Sequence, residues 1–183
     1  SRGLNTDDYT FYWTPKIGYR DRLIIPFMYD DEVVGYTARK INGGSPKYLS
    51  EQQPGYVFNF DAQNYNRLFT IVMEGPLDAI GVDGVALLGS EVKDQQALLL
   101  KTLNKEVILC GLDLDYKKEK FGEISDLYIE ATSIHQLSGG CYYCINPSLY
   151  SYRLTNSHKK ILIGGNKDYV PVCGECYKKQ EYI

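Results

Sequence analysis

No apolar run in this 183-residue chain is long enough to cross a bilayer, which excludes a membrane-spanning helix. No basic, apolar, small-residue leader opens it, so the cytoplasm is the expected compartment. The first residue is Ser1 rather than methionine, as expected of a fragment. Charge of one sign is not in excess: the formal net charge of −3 excludes a chain whose bulk electrostatics advertise nucleic-acid binding. Internal repeats and low-complexity tracts are missing too, which leaves one ordinary globular domain or two small ones. Histidine is scarce, and His135 and His158 both lie too far from the cysteine pairs to be needed as their partners.

What is present is more specific. Seven of the twenty Lys and Arg residues precede residue 48 (Arg2, Lys16, Arg20, Arg22, Arg39, Lys40, Lys47), so a local basic track is expected there. The 17 tyrosines read as half-buried packing residues. "RLIIPFMYD" and "EVVGYTARKI" are β-rich runs joined by Asp30-Asp31, which reads as a hairpin. From Leu68 the pattern becomes strand ("LFTIVMEG"), helix ("PLDAIGV", with Pro76 in its first turn), strand ("VALLG"), helix ("DQQALLLKTL") and strand ("EVILCGL"). That alternation predicts a parallel sheet whose functional residues gather at the carboxyl ends of its strands, where Glu74, Asp113 and Asp115 fall. Ile124, Leu127, Tyr128, Ala131 and Ile134 recur at helical spacing and predict one apolar helical face. After Gly139-Gly140 short strands are expected between two cysteine pairs.

Those pairs are Cys141-Tyr-Tyr-Cys144 and Cys173-Gly-Glu-Cys176, separated by 28 residues. Two C-x-x-C knuckles can offer four thiolates to one tetrahedral Zn2+, a closed and therefore structural site. Two disulfides are disfavoured in a cytoplasmic chain, and a redox pair lacks the thioredoxin-like setting it needs. Cys110 reads as a buried strand residue.

The stretch "GLDLDYKKEKFGEISDLYIEAT", with "CYYC", "SLYSYRL" and "ILIGGNKDYVPVCGECY", resembles the C-terminal third of zinc-containing thymidine kinases over residues 106–179. The resemblance implies a lasso loop between the knuckles that folds over thymidine and holds its base largely through main-chain hydrogen bonds. By motif it assigns Leu112, Tyr116 and Phe121 to the base pocket. Ser151 and Arg153 fall in a Y-T-x-R stretch, with Ser in place of Thr, and Leu162, Gly164, Gly165 and Tyr169 in an I-G-G…Y stretch. Gly174 stands where the family usually has Arg. A homo-oligomer would fit the family's habit. The 183 residues contain no G-x-x-x-x-G-K-[ST] to cradle a donor's phosphates, and neither the D-E-x-Q-F-type metal segment nor the catalytic Glu that follows it.

Residues of about 18–109, "RDRLIIPFMYDDEVVGYTARKINGGSPKYLS" and "TIVMEGPLDAIGVDGVALLGSEVKDQQALLLKTLNKEVIL", resemble the TOPRIM region of bacterial and phage DNA primases. A phage origin would place the protein in the host cytoplasm. That likeness implies phosphate or nucleic-acid contacts for Arg22, Arg39 and Lys47, with single-stranded DNA as a partner. It implies a first acidic motif at Glu74 and Asp78, and an Asp-x-Asp supplied by type at Asp113 and Asp115, where paired carboxylates could hold Mg2+. The changeover between the two likenesses lies near 104–109.

The expected fold is therefore α/β: a parallel β-sheet with flanking helices, TOPRIM-like or P-loop-kinase-like, plus a small C-terminal zinc-ribbon module. The expected segments are 1–67 (primase-like, β-rich), 68–138 (parallel α/β, containing the join) and 139–183 (zinc ribbon and lasso). The expected function is a thymidine-kinase-like chain that carries the zinc and thymidine-binding part without its ATP-binding half. The alternatives are a primase-type nucleotidyl transferase using Mg2+ at Glu74, Asp113 and Asp115, or an inactive mosaic that only binds zinc. Leu112 rather than Asp113 is expected to touch a ligand.

Overall fold

The computed structural model describes residue 4, residues 7–63 and residues 67–181; Arg2 lies outside them. The chain forms two compact units, Ser1–Gly111 and Leu112–Ile183. No helix among the described residues is long and apolar enough to cross a membrane.

In the first unit, β1 (Arg22–Tyr29) and β2 (Glu32–Lys40) pair antiparallel, and β3 (Tyr48–Glu51) adds to β2. Asp30 and Asp31 both take positive φ, 49° and 65°, as the two central residues of a tight hairpin turn do. The fully buried Ile25 and Phe27 of β1 pack with Tyr56, Phe58, Leu77 and Ile80. Arg22, only 3% exposed, spends its guanidinium on carbonyls: Nε donates to Gly18, Nη1 to Ala38 and Lys47, and Nη2 to Pro46. It thereby ties β1 and β2 to the segment before β3.

The parallel sheet follows as expected, in the order β5-β4-β6. It comprises β4 (Phe69–Met73), β5 (Val85–Ala86) and β6 (Glu106–Leu109), linked through α1 (Pro76–Val82) and α2 (Asp94–Thr102). Pro76 occupies the first turn of α1, where its missing N–H costs nothing. Val72, Val85, Leu87 and Leu100 form a second buried cluster beneath the sheet. The expected strand "VALLG" shortens to two residues because Leu88 turns to φ 63°. β6 is an edge strand rather than a buried one: Val107 and Ile108 are 48% and 44% exposed. Cys110 lies just beyond it and is exposed, which corrects its reading as a buried strand residue.

The second unit holds β7 (Gly139–Gly140), β8 (Pro147–Ser148), β9 (Tyr150–Arg153), β10 (Tyr169–Val172) and α3 (Gly174–Glu181). β7 pairs with β8, and β9 with β10, both antiparallel. The apolar helix expected from Ile124 to Ile134 is replaced by a single 3-10 stretch, Ile124–Ile129, none of whose residues is buried. Helices of this length draw their stability from packing an apolar face, and here Ile129 and Ile134 face solvent.

Candidate functional site

Each knuckle ends a short strand. Cys141 follows β7, and its N–H donates to the Asn146 carbonyl, curling the chain so that Cys144 turns back beside it. Cys173 follows β10, and Cys176 lies in the first turn of α3. All four Sγ atoms lie within 4.8 Å of one another, and Cys144 Sγ is 3.7 Å from those of both Cys173 and Cys176. A regular tetrahedron with metal–sulfur bonds of about 2.3 Å has sulfur–sulfur edges of about 3.8 Å, whereas a disulfide needs about 2.05 Å. The spacing is compatible with four ligands around one ion, and the cysteines are free thiols.

The electrostatics point the same way. Burial would push the Cys141 thiol up, but the N–H groups of Cys173, Tyr143 and Cys144 and the Cys144 thiol outweigh it and bring it down to about 6. Cys176 is pushed up to about 12 by burial and by the sulfurs of Cys173, Cys144 and Cys141. For Cys144 the Asn146 N–H pulls down, yet burial and the Cys141 and Cys173 sulfurs leave it raised. Four thiolates cannot coexist in so small a space without a cation, and a divalent ion removes the conflict. The residues present fit Zn2+. Val170, Val172 and Tyr177 form the core packed against the sulfurs, with Tyr150 and Tyr152 against them.

The loop between β9 and β10 is gathered by one side chain. Arg153, 6% exposed, donates from Nη1 to the carbonyls of Ser157 (2.8 Å) and Lys159 (2.5 Å), and from Nη2 to that of Lys160 (3.3 Å). Nε and Nη2 also donate to the Tyr169 hydroxyl, at 3.1 and 2.6 Å. That hydroxyl donates in turn to the Leu162 carbonyl at 3.0 Å. The guanidinium carbon lies 3.4 Å from the centroid of the Tyr116 ring, a cation–π contact. Further along, the Gly165 N–H donates to Asp168 Oδ2 at 2.9 Å. Gly164 sits so close that an added Cβ would stand 2.5 Å from Asp168 Cβ, a position only glycine can fill.

The segment before the knuckles is fixed by a residue that motif reasoning missed. Tyr177, in α3 directly after the last cysteine, donates its hydroxyl to the Tyr116 carbonyl at 2.6 Å. Its only signal was an aromatic residue following the fourth ligand in "CGECY". Tyr116, Arg153, Leu162 and Tyr169 are thus brought together. Leu112 is 62% exposed, Phe121 is half-buried, and Ser151 is exposed on β9 opposite Pro171.

The acidic residues divide between the units. Glu74 is exposed just beyond the carboxyl end of β4, and Asp78 is exposed in the first turn of α1. Asp113 and Asp115 belong to the second unit. Asp115 Oδ1 accepts the N–H groups of Lys117 (2.8 Å) and Glu119 (3.0 Å), closing a tight turn, while its buried Oδ2 has no hydrogen-bond partner among the described residues. Asp113 Oδ2 accepts from the Tyr128 hydroxyl, whose pKa is raised by burial and by that carboxylate. In the first unit, Arg39 and Lys47 lie over the Tyr48 ring, at 5.6 and 5.9 Å from its centroid.

Comparison with known proteins agrees with the second unit. The thymidine kinase family matches residues 49–177, reaching further toward the N-terminus than the motif likeness and taking in β4, β5 and β6. A thymidine kinase from Oryza sativa subsp. japonica is 34% identical over 101 residues, 55% of this chain and 37% of its own. Thymidine kinase 1 of Dictyostelium discoideum is 27% identical over 141 residues, 74% of this chain and 61% of its own. The chain spans about half the length of the curated relatives it matches. Among solved structures, the E. coli primase catalytic core is similar at a TM-score of 0.45 and 23% identity, over 51% of this chain and 35% of that one. With the family match running through both knuckles and the loop between them, the chain belongs to the thymidine kinase family.

Proposed function

We propose that the second unit is the nucleoside-holding part of a thymidine kinase, with one structural Zn2+ on Cys141, Cys144, Cys173 and Cys176. Leu112, Tyr116 and Phe121 offer apolar and aromatic surface to a thymidine base. The N–H of Leu162 and the backbone of Gly164 offer it hydrogen bonds, Gly165 shapes the turn with its own N–H and carbonyl spent on residues 168 and 169, and Ser151, Arg153 and Tyr169 frame the loop. The observation that carries this reading is the family match that spans the four-thiol cluster and the loop it encloses. When bound, zinc supplies a rigid crosslink and no chemistry. These 183 residues contain no phosphate-cradling G-x-x-x-x-G-K-[ST], so the chain alone binds thymidine in the cytoplasm without phosphorylating it.

The test is calorimetric titration of thymidine into protein of measured metal content, followed by an assay with ATP and Mg2+. One zinc per chain, 1:1 binding heat and no phosphorylated product are expected. Absence of zinc, or of binding by zinc-loaded protein, would sink the reading.

A second reading concerns the first unit and rests on Glu74 lying exposed beyond the central strand, with Asp78 one helical turn on. There the chain would bind Mg2+ at Glu74 and Asp78 and single-stranded DNA in a primase-like nucleotidyl transfer, with Arg39 and Lys47 as its basic residues; Arg22, buried and spent on carbonyls, is not one of them. Mg2+-dependent primer synthesis that Glu74→Gln abolishes would support it; no synthesis by the unsubstituted chain would dismiss it.

A further inference from the structure

We propose that Arg153 touches no ligand and instead positions the loop of residues 154–168, acting with Tyr169 as a two-residue hub; the functional part of this proposal rests on the nucleoside reading above. A guanidinium has five N–H donors, and all five of Arg153 are spent: two on Tyr169 Oη and one each on the carbonyls of Ser157, Lys159 and Lys160. A tyrosine hydroxyl accepts two hydrogen bonds and donates one, and Tyr169 does all three, its donor going to Leu162. Nothing remains on either group for a nucleoside. The stretch they hold, 157–163, contains no helix or strand, so four of its seven carbonyls take their order from this hub. The ring of Tyr116 closes one face of the guanidinium, which links the loop to the segment that Tyr177 anchors beside the thiol cluster.

The fork geometry is what the role requires. Lysine keeps the charge but radiates three donors from a point and cannot address four acceptor atoms in one plane and stack on Tyr116 at once. The hub also predicts a specific chemical protection. Trypsin cleaving after Lys159 or Lys160 must take that residue's carbonyl into its oxyanion hole, and both carbonyls are held by Arg153. Cleavage there requires the loop to leave the guanidinium.

The experiment follows trypsin cleavage after Lys159 and Lys160 in the full zinc-loaded chain, with cleavage after Lys16 in the other unit as internal reference. Thymidine affinity is measured on the same samples. Arg153→Ala, Arg153→Lys and Tyr169→Phe should each raise the relative cleavage rate at least about tenfold and weaken thymidine at least about tenfold, with metal content unchanged. Millimolar guanidinium should restore protection to Arg153→Ala, and ammonium should not. If Arg153→Ala does not fold, the other two variants carry the test. Wild-type cleavage or wild-type thymidine binding in Arg153→Lys would overturn the proposal. Faster cleavage of the variants in a protein that never binds thymidine would uphold the loop's positioning and sink the nucleoside reading instead.

Discussion

Tyr177→Phe tests how the thiol cluster and the candidate pocket are joined. The substitution removes one oxygen and leaves the ring, which is buried against the sulfurs and meets Tyr150 and Tyr152 edge-on at 6.0 and 5.8 Å between centroids. The Lys118 ammonium, 4.0 Å from the ring centroid, keeps its aromatic partner. With the oxygen goes the 2.6 Å hydrogen bond to the Tyr116 carbonyl. A neutral bond of this kind contributes about 1 kcal/mol, and in a unit of this size that lowers the melting temperature by about 4–8 °C. Thermal unfolding in the presence of excess zinc measures it, with zinc stoichiometry on the same sample. Tyr177→Ala should cost about 3–5 kcal/mol because the ring is lost as well, enough to unfold a marginal unit. The reasoning is refuted if Tyr177→Phe melts with the unsubstituted protein, or if it loses zinc, since the hydroxyl would then do more than tie one carbonyl.

Other outcomes follow from the same geometry. Cys176→Ser should abolish tight zinc binding, read as zinc per chain after dialysis against a chelator, because three thiolates no longer close the shell. At pH 7, zinc binding to metal-free protein should release at least two protons, read by calorimetry in buffers of different ionisation enthalpy. Cys176, pushed up to about 12, and the raised Cys144 enter as thiols, whereas Cys141 at about 6 enters as thiolate. In the metal-free unit the depressed Cys141 adds stability present above the ordinary thiol range and lost as pH falls through about 6; a urea midpoint that does not drop between pH 9 and 5 in Cys176→Ser would count against it. Gly164→Ala should weaken thymidine without changing the zinc content, since the new methyl collides with Asp168 and breaks the Gly165 turn. Val72→Ala, in the fully buried centre of the parallel sheet, should destabilise the first unit by roughly 2 kcal/mol in urea unfolding.

Elements whose cause is local are legible in the sequence. The Asp30-Asp31 hairpin, the start of α1 at Pro76, and α2 each follow from turn chemistry, a proline or a periodic run. The thiol cluster was legible because its ligands come in fixed pairs, so spacing alone carries the geometry. What depended on neighbours was not. "EVILCGL" has the composition of a buried strand, yet β6 lies at a sheet edge where no further strand among the described residues covers it. The periodic apolar residues from Ile124 to Ile134 do not pack and so do not wind into an α-helix. The roles of Arg153 and Tyr177 were hidden for a different reason. A motif marks the position of an arginine, while only the fold shows that its five donors already have acceptors.

The most direct measurement is amide hydrogen exchange of the zinc-loaded chain with and without saturating thymidine. A nucleoside held by the loop between the knuckles should slow exchange at residues 162–165 and around Tyr116, leaving β4 and α2 unchanged. Exchange in that loop that is identical with and without thymidine would contradict a nucleoside site there.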